Sequence, residues 1–140
     1  MEDVSIRRLI RSIFIALFLY AQAVFAGEFT IVEALKFSAQ APKLTLDLYL
    51  PSAREKPVPC VIVIQGGGFS SQNGQRFRGF AARVAKEEMA VALISYRGRP
   101  GHRHRDTLED LRASVRYVRS VAEERGIDPR RIGATGRSAG

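Results

Sequence analysis

Two short glycine-rich segments carry the residues of this sequence that could do chemistry. One is Gly136-Arg137-Ser138-Ala139-Gly140, a G-x-S-x-G pattern directly after an apolar stretch. Small residues two positions either side of a serine let it sit on a tight, strained turn with its hydroxyl exposed. The other is Gln65-Gly66-Gly67-Gly68-Phe69, directly after Val61-Ile62-Val63-Ile64. Three consecutive glycines let the backbone approach a ligand closely and aim its N–H groups at one point, a geometry suited to negative charge developing on oxygen. A flexible turn is the plainer reading of an isolated Gly-Gly-Gly, and neither segment alone specifies a reaction.

Other reactive side chains are few. His102 and His104 lie in RGRPGHRHRD among Arg97, Arg99, Arg103 and Arg105. A general base must reach the hydroxyl it activates, and these histidines follow a different strand from the serine, so no base role is expected of them. Four arginines without clustered carboxylates also argue against a His-x-His metal site. The run 97–105 reads as a solvated loop, whose functional reading is attraction for acidic substrates such as uronic-acid-bearing polysaccharide. Cys60, inside PCVIVIQ, reads as a small buried hydrophobe.

The elements that must hold these segments follow from periodicity. Residues 29–37 and 44–50 carry β-formers, and LTLDLYL alternates apolar with polar, which predicts two half-buried strands joined through Ala41-Pro42. Residues 61–64 and 91–96 are short apolar runs of the kind buried on both faces of a parallel sheet. Phe77, Phe80, Ala81, Val84 and Ala85 recur at helical spacing. A second helix is predicted with Asp106 as N-cap, Glu109 completing a capping box, and Leu108, Leu111, Val115, Val118 and Ala122 as its apolar stripe. Gly126 ends it, Asp128-Pro129 turns the chain, and 131–135 forms a last strand. Strand, helix, strand, helix, strand predicts an α/β fold, a mostly parallel sheet with helices on both faces.

Composition narrows the class. With 140 residues, 46% hydrophobic and 26% charged, the chain is neither disordered nor collagen-like, and one Cys excludes a disulfide scaffold. Arg7, Arg8 and Arg11 precede an uncharged run at 12–26 that closes with small residues at Ala21/Ala23 or Val24/Ala26. That order of charge, apolar core and cleavage site predicts a signal peptide at 1–26 and a single domain at 27–140, secreted or periplasmic. The apolar run is shorter than the roughly 20 residues that cross a bilayer, so no stable membrane span is expected after cleavage; an uncleaved anchor is the alternative. The net charge of +8 stays positive without the leader. Its arginines are spread over helices and loops with no aromatic stacking set, so nucleic-acid binding is not expected.

Order along the chain ties the motifs together. LDLYLP, VIVIQGGGF, VALISYRG, the helix from Asp106 with Asp110, and GIDPRRIGATGRSAG resemble in sequence the segments of α/β-hydrolase carboxylesterases with an HGGG oxyanion motif, related to hormone-sensitive lipases and bacterial acetylxylan or feruloyl esterases. The resemblance runs from Leu44 to Gly140 and implies the N-terminal part of an α/β-hydrolase fold. It implies Ser138 as nucleophile, with Gly67, Gly68 and Ala139 donating backbone N–H groups to the oxyanion. It implies hydrolysis of acyl esters of small molecules or carbohydrates through an acyl-enzyme, without a cofactor. Gln65 stands where that family usually has His, and the family's acid and histidine come after the serine in chain order. The 140 residues by themselves are therefore expected to be an inactive N-terminal portion.

Two other readings compete. GATGRSA resembles the glycine loop of a nicotinamide-dinucleotide-binding module, although such a loop normally follows the first strand and here four candidate strands precede it. A noncatalytic binding protein on the hydrolase fold is the third.

Overall fold

The computed structural model describes residues 28–140, so the leader expected at 1–26 lies outside them. Strands β1 (Phe29–Lys36), β2 (Thr45–Pro51), β3 (Val58–Ile64), β4 (Ala90–Ile94) and β5 (Ile127–Gly136) form one mixed sheet in the order β1-β2-β4-β3-β5. β1 with β2 and β2 with β4 run antiparallel, whereas β4 with β3 and β3 with β5 run parallel. Helix α1 (Arg78–Lys86) connects β3 to β4, and helix α2 (His104–Ser120) connects β4 to β5.

The alternation of side chains along each strand divides the core in two. On one face Leu46, Leu48, Ile62, Ala92 and Ile94 pack with Val118 of α2 and Ala122 in the turn after it; on the other Tyr49, Val63, Val91 and Leu93 pack with Ala81 and Ala85 of α1. The helices therefore cover opposite faces, as predicted. No helix among the described residues is long and apolar enough to cross a membrane.

Local details differ from the sequence reading, each for a physical reason. β2 is buried on both faces rather than half-buried. Asp47 tolerates this because its Oδ1 accepts the N–H of Ala34 at 3.0 Å and its Oδ2 accepts from the Arg78 guanidinium at 3.1 Å. The first of these bonds holds a bulge in β1, where Ala34 has φ 55° and the register slips between Val32 and Leu35. On α1 only Ala81 and Ala85 are buried; Phe80 turns outward against the edge of Phe77.

Helix α2 starts two residues earlier than Asp106. Arg103 is its N-cap, and Asp106, in the third position, accepts the Arg103 N–H at 2.8 Å while its own N–H donates to the Arg103 carbonyl at 2.9 Å. The Arg103 N–H holds the Asp106 carboxyl below its ordinary value. Glu109 instead pairs with Arg112 at 3.1 Å on the exposed side. The buried row of the helix is Asp110, Ser114 and Val118, with Leu111 and Val115 flanking it and Leu108 exposed. β5 begins at Ile127, not at 131. Asp128-Pro129 falls inside it as an irregularity, where Val58 and Cys60 of β3 pair with Ile127 and Ile132. The Asp128 carboxylate accepts the Arg130 N–H at 2.9 Å, the local turn chemistry that the sequence signalled.

Candidate active site

The two glycine segments lie 70 residues apart in sequence and meet because β3 and β5 are parallel neighbours whose last residues, Ile64 and Gly136, are register partners. Whatever follows one strand end lies beside whatever follows the other. A cleft of about 370 Å³ results, lined by Gln65, Gly66, Gly67, Gly68, Arg76, Phe77, Arg137 and Ser138.

Ser138 has φ 60°, in the left-handed region that a non-glycine residue rarely adopts, at a cost on the order of 1–3 kcal/mol. The surrounding glycines make this turn possible. A β-carbon on Gly136 would overlap Gly140, one on Gly140 would overlap the Ile64 carbonyl, and one on Gly66 would overlap the Arg137 carbonyl. The tight turn expected around the serine is thus built by backbone packed on backbone. Ser138 is exposed and lines the cleft; Ala139, half-buried, follows it in the turn and is not among the lining residues. Among the described residues the N–H groups of Gly67, Gly68 and Ala139 meet no acceptor.

Gln65 is 2% exposed and braces the glycine loop. Its Oε1 accepts the Arg76 N–H at 3.1 Å, its Nε2 donates to Gln72 Oε1, and its main-chain carbonyl accepts the Tyr96 hydroxyl. Gln72 Nε2 donates to Ser70 Oγ at 2.8 Å and, more weakly, to the Ser70 carbonyl at 3.3 Å. Ser70 Oγ donates to the Gly67 carbonyl at 2.5 Å, which also accepts the Ser70 N–H at 3.1 Å.

Behind this loop stands a second one, following β4. Gln72 and Tyr96 exchange main-chain hydrogen bonds of 3.0 and 2.9 Å, and the Arg99 N–H donates to the Phe69 carbonyl at 2.8 Å. Gly98 permits the contact, since a β-carbon there would lie 2.5 Å from the backbone of Phe69 and Ser70. Arg97 anchors the second loop to α2. Its guanidinium meets the buried Asp110 carboxylate at 2.7–3.1 Å, and its N–H donates to the same carboxylate at 2.8 Å. The carboxylate raises the Arg97 guanidinium above its ordinary value, chiefly through the hydrogen bond between them. The expectation of a fully solvated run at 97–105 is thus corrected at Arg97, which is an internal brace. His102 and His104 line a separate groove of about 360 Å³ with Phe69, Arg99 and Thr107, and His104 stands edge-on to Phe69 with ring centroids 6.3 Å apart. Neither histidine lines the Ser138 cleft. Among the described residues no cluster of His, Cys, Asp and Glu could hold a metal ion.

Phe77, expected on the stripe of the first helix, caps that helix and lines the cleft; Arg76 and Arg137 beside it, and Gln72 and Ser70 behind the cleft, were not singled out from the sequence. Arg137 was within reach of inference as the variable residue beside the serine; the others lie in a polar stretch without periodicity and carry no such signal.

Residues 46–140 match the BD-FAE family model. A probable isoprenylcysteine alpha-carbonyl methylesterase of Oryza sativa is 31% identical over an alignment covering 91% of this chain and 32% of that protein. Among solved structures, a bacterial heroin esterase is 33% identical with TM-score 0.69, covering 80% of this chain and 35% of that one. Esterase B of Lactobacillus rhamnosis, whose structure holds a tributyrin phosphonate inhibitor, is 26% identical with TM-score 0.73, covering 100% of this chain and 47% of that one. The chain spans about a third of the length of the curated relative.

Proposed function

The chain belongs to the BD-FAE family, an α/β-hydrolase fold, and from that membership we propose that it serves a carboxylic-ester hydrolase in which Ser138 is the nucleophile. The observation that carries the reading is the meeting of an exposed Ser138 at φ 60° with the Gly66–Gly68 backbone in one cleft. Ser138 Oγ attacks the ester carbonyl carbon as its proton passes to a general base, and the carbonyl π electrons move onto oxygen. The N–H groups of Gly67, Gly68 and Ala139 stabilise that oxyanion. Collapse expels the alkoxide, which takes the proton back from the base, and leaves an acyl-Ser138 ester. Water, activated by the same base, then releases the acid and restores the hydroxyl. The base is the histidine that the resemblance puts after Ser138 in chain order. The substrates are acyl esters of small molecules or carbohydrates.

The test is hydrolysis of short acyl esters by the full-length protein. Ser138→Ala is expected to lower kcat by about 10⁴-fold or more, because no acyl-enzyme can form. Retained turnover in that variant excludes Ser138 as nucleophile; absence of turnover in the unaltered protein favours the binding-protein reading.

Export belongs to the same proposal. Protein recovered from the periplasm or medium is expected to begin at Val24 or Gly27, read by N-terminal sequencing, and purely cytosolic protein rejects it.

A further inference from the structure

We propose that Gln72 and Ser70 are positioning residues whose side chains, with Gln65, form a one-way hydrogen-bond relay that aims the Gly68 N–H into the Ser138 cleft. This rests on the reading of Gly68 as an oxyanion donor and adds residues which that reading does not contain.

The direction of the relay follows from one fixed donor. The Arg76 main-chain N–H can only donate, so the Gln65 amide must present Oε1 to it, at 3.1 Å. Gln65 Nε2 then faces Gln72, which must present its own Oε1. Gln72 Nε2 is left to donate to Ser70 Oγ at 2.8 Å, and a hydroxyl that accepts there sends its single proton onward, to the Gly67 carbonyl at 2.5 Å. Each amide or hydroxyl thus accepts on one side and donates on the other. Chains of this kind polarise their members in the same sense.

The relay ends on the peptide that matters. The Gly67–Gly68 bond is trans, so its carbonyl and its N–H point in opposite directions. With the carbonyl held towards Ser70, the Gly68 N–H is turned away from it, and both glycines line the Ser138 cleft. Drawing electron density onto the Gly67 oxygen also makes the Gly68 N–H a better donor. Gly67 must lack a side chain for this arrangement, since a β-carbon there would overlap the Gln72 amide.

Gln72→Glu separates direction from bulk. The carboxylate it introduces can still accept from Gln65, but it cannot donate to Ser70, whose proton then turns to that carboxylate and leaves the Gly67 carbonyl. In the full-length protein Gln72→Glu and Ser70→Ala are each expected to lower kcat about tenfold with KM within twofold, and to slow inactivation by an alkyl phosphonate ester in parallel. Ser70→Thr, which keeps the hydroxyl, restores both. A role confined to holding the fold would lower the melting temperature without this split between kcat and KM. The Gly68 amide resonance supplies a readout that needs no turnover, and it is expected to shift in both variants. Turnover that depends on Ser138 but is unchanged in Gln72→Glu and Ser70→Ala overturns the relay and leaves the esterase reading standing. If the unaltered protein shows no Ser138-dependent turnover, the esterase reading fails; an unmoved Gly68 resonance then overturns the relay as well, and a shifted one supports it.

Discussion

Cys60 faces the α2 side of β3 at 2% exposure, and burial pushes its thiol up to about 12 from an ordinary 9.0, against a smaller lowering by the Ala92 backbone. The consequence for stability has a definite sign. Between 9.0 and about 12 the unfolded chain releases the thiol proton and the folded chain keeps it, so the folded state binds more protons and stability falls as pH rises through that window. Denaturant titrations of the full-length protein below and above pH 9.0 are expected to show this loss, and Cys60→Ala to show a smaller one, the remainder coming from Tyr49 and Tyr96, whose hydroxyls burial also pushes up. A lone Cys in a β-branched run was legible as a buried hydrophobe from sequence. Ser138 and its glycines were equally legible, because their requirement is local: a left-handed serine needs small neighbours whatever surrounds it. Ser70 and Gln72 were not, since their importance lies in which atoms they face across the loop.

At the scale of elements, the apolar stripe expected along α2 meets the core at Leu111, Val115 and Val118, and at Ala122 just beyond the helix, but Leu108 is exposed and the most deeply buried row includes two polar residues. That row is Asp110, Ser114 and Val118. Polar residues hold the centre because each has a partner: Ser114 Oγ donates to the Leu111 carbonyl at 2.8 Å, and Asp110 takes the Arg97 fork. Periodicity counts apolar side chains and has no means of seeing a carboxylate neutralised from another loop. Asp110 is 1% exposed at its side chain and Arg97 27%, so the pair is half-sheltered rather than sealed. Arg97→Met strands the carboxylate and is expected to lower stability by about 3 kcal/mol, whereas adding Asp110→Leu recovers most of it. Denaturant titration of the two variants checks this; equal losses would show that the fork contributes shape alone.

For the molecule as a whole, the sheet order sets a gradient of protection. β3 and β4 are each paired on both sides and sandwiched between α1 and α2, while β1 pairs only with β2, carries the Ala34 bulge and has no buried residue. Amide exchange is therefore expected to be slowest in β3 and β4 and to begin in β1. Exchange measured by mass spectrometry or NMR tests it, and a β1 as protected as β4 would contradict it. The same order puts the Ser138 cleft at one end of the sheet, beyond the C-terminal ends of two adjacent parallel strands, where loops can approach each other without breaking the ladder.

The sequence by itself determined the kinds of local structure: the short apolar strands, two helices, a strained serine turn and a glycine loop, each encoded in neighbouring residues through size, branching and periodicity. Export by the 1–26 leader remains a proposal of the same local kind. Tertiary structure alone decided the rest. Register between β3 and β5 brought Gly66 onto the Arg137 carbonyl; burial of both faces of β2 called for the Asp47 bonds to Ala34 and Arg78; and the approach of two loops gave Arg97 its carboxylate. Such contacts join residues far apart in the chain, and a hydrogen bond's partner is set by position in space, which no window of sequence contains.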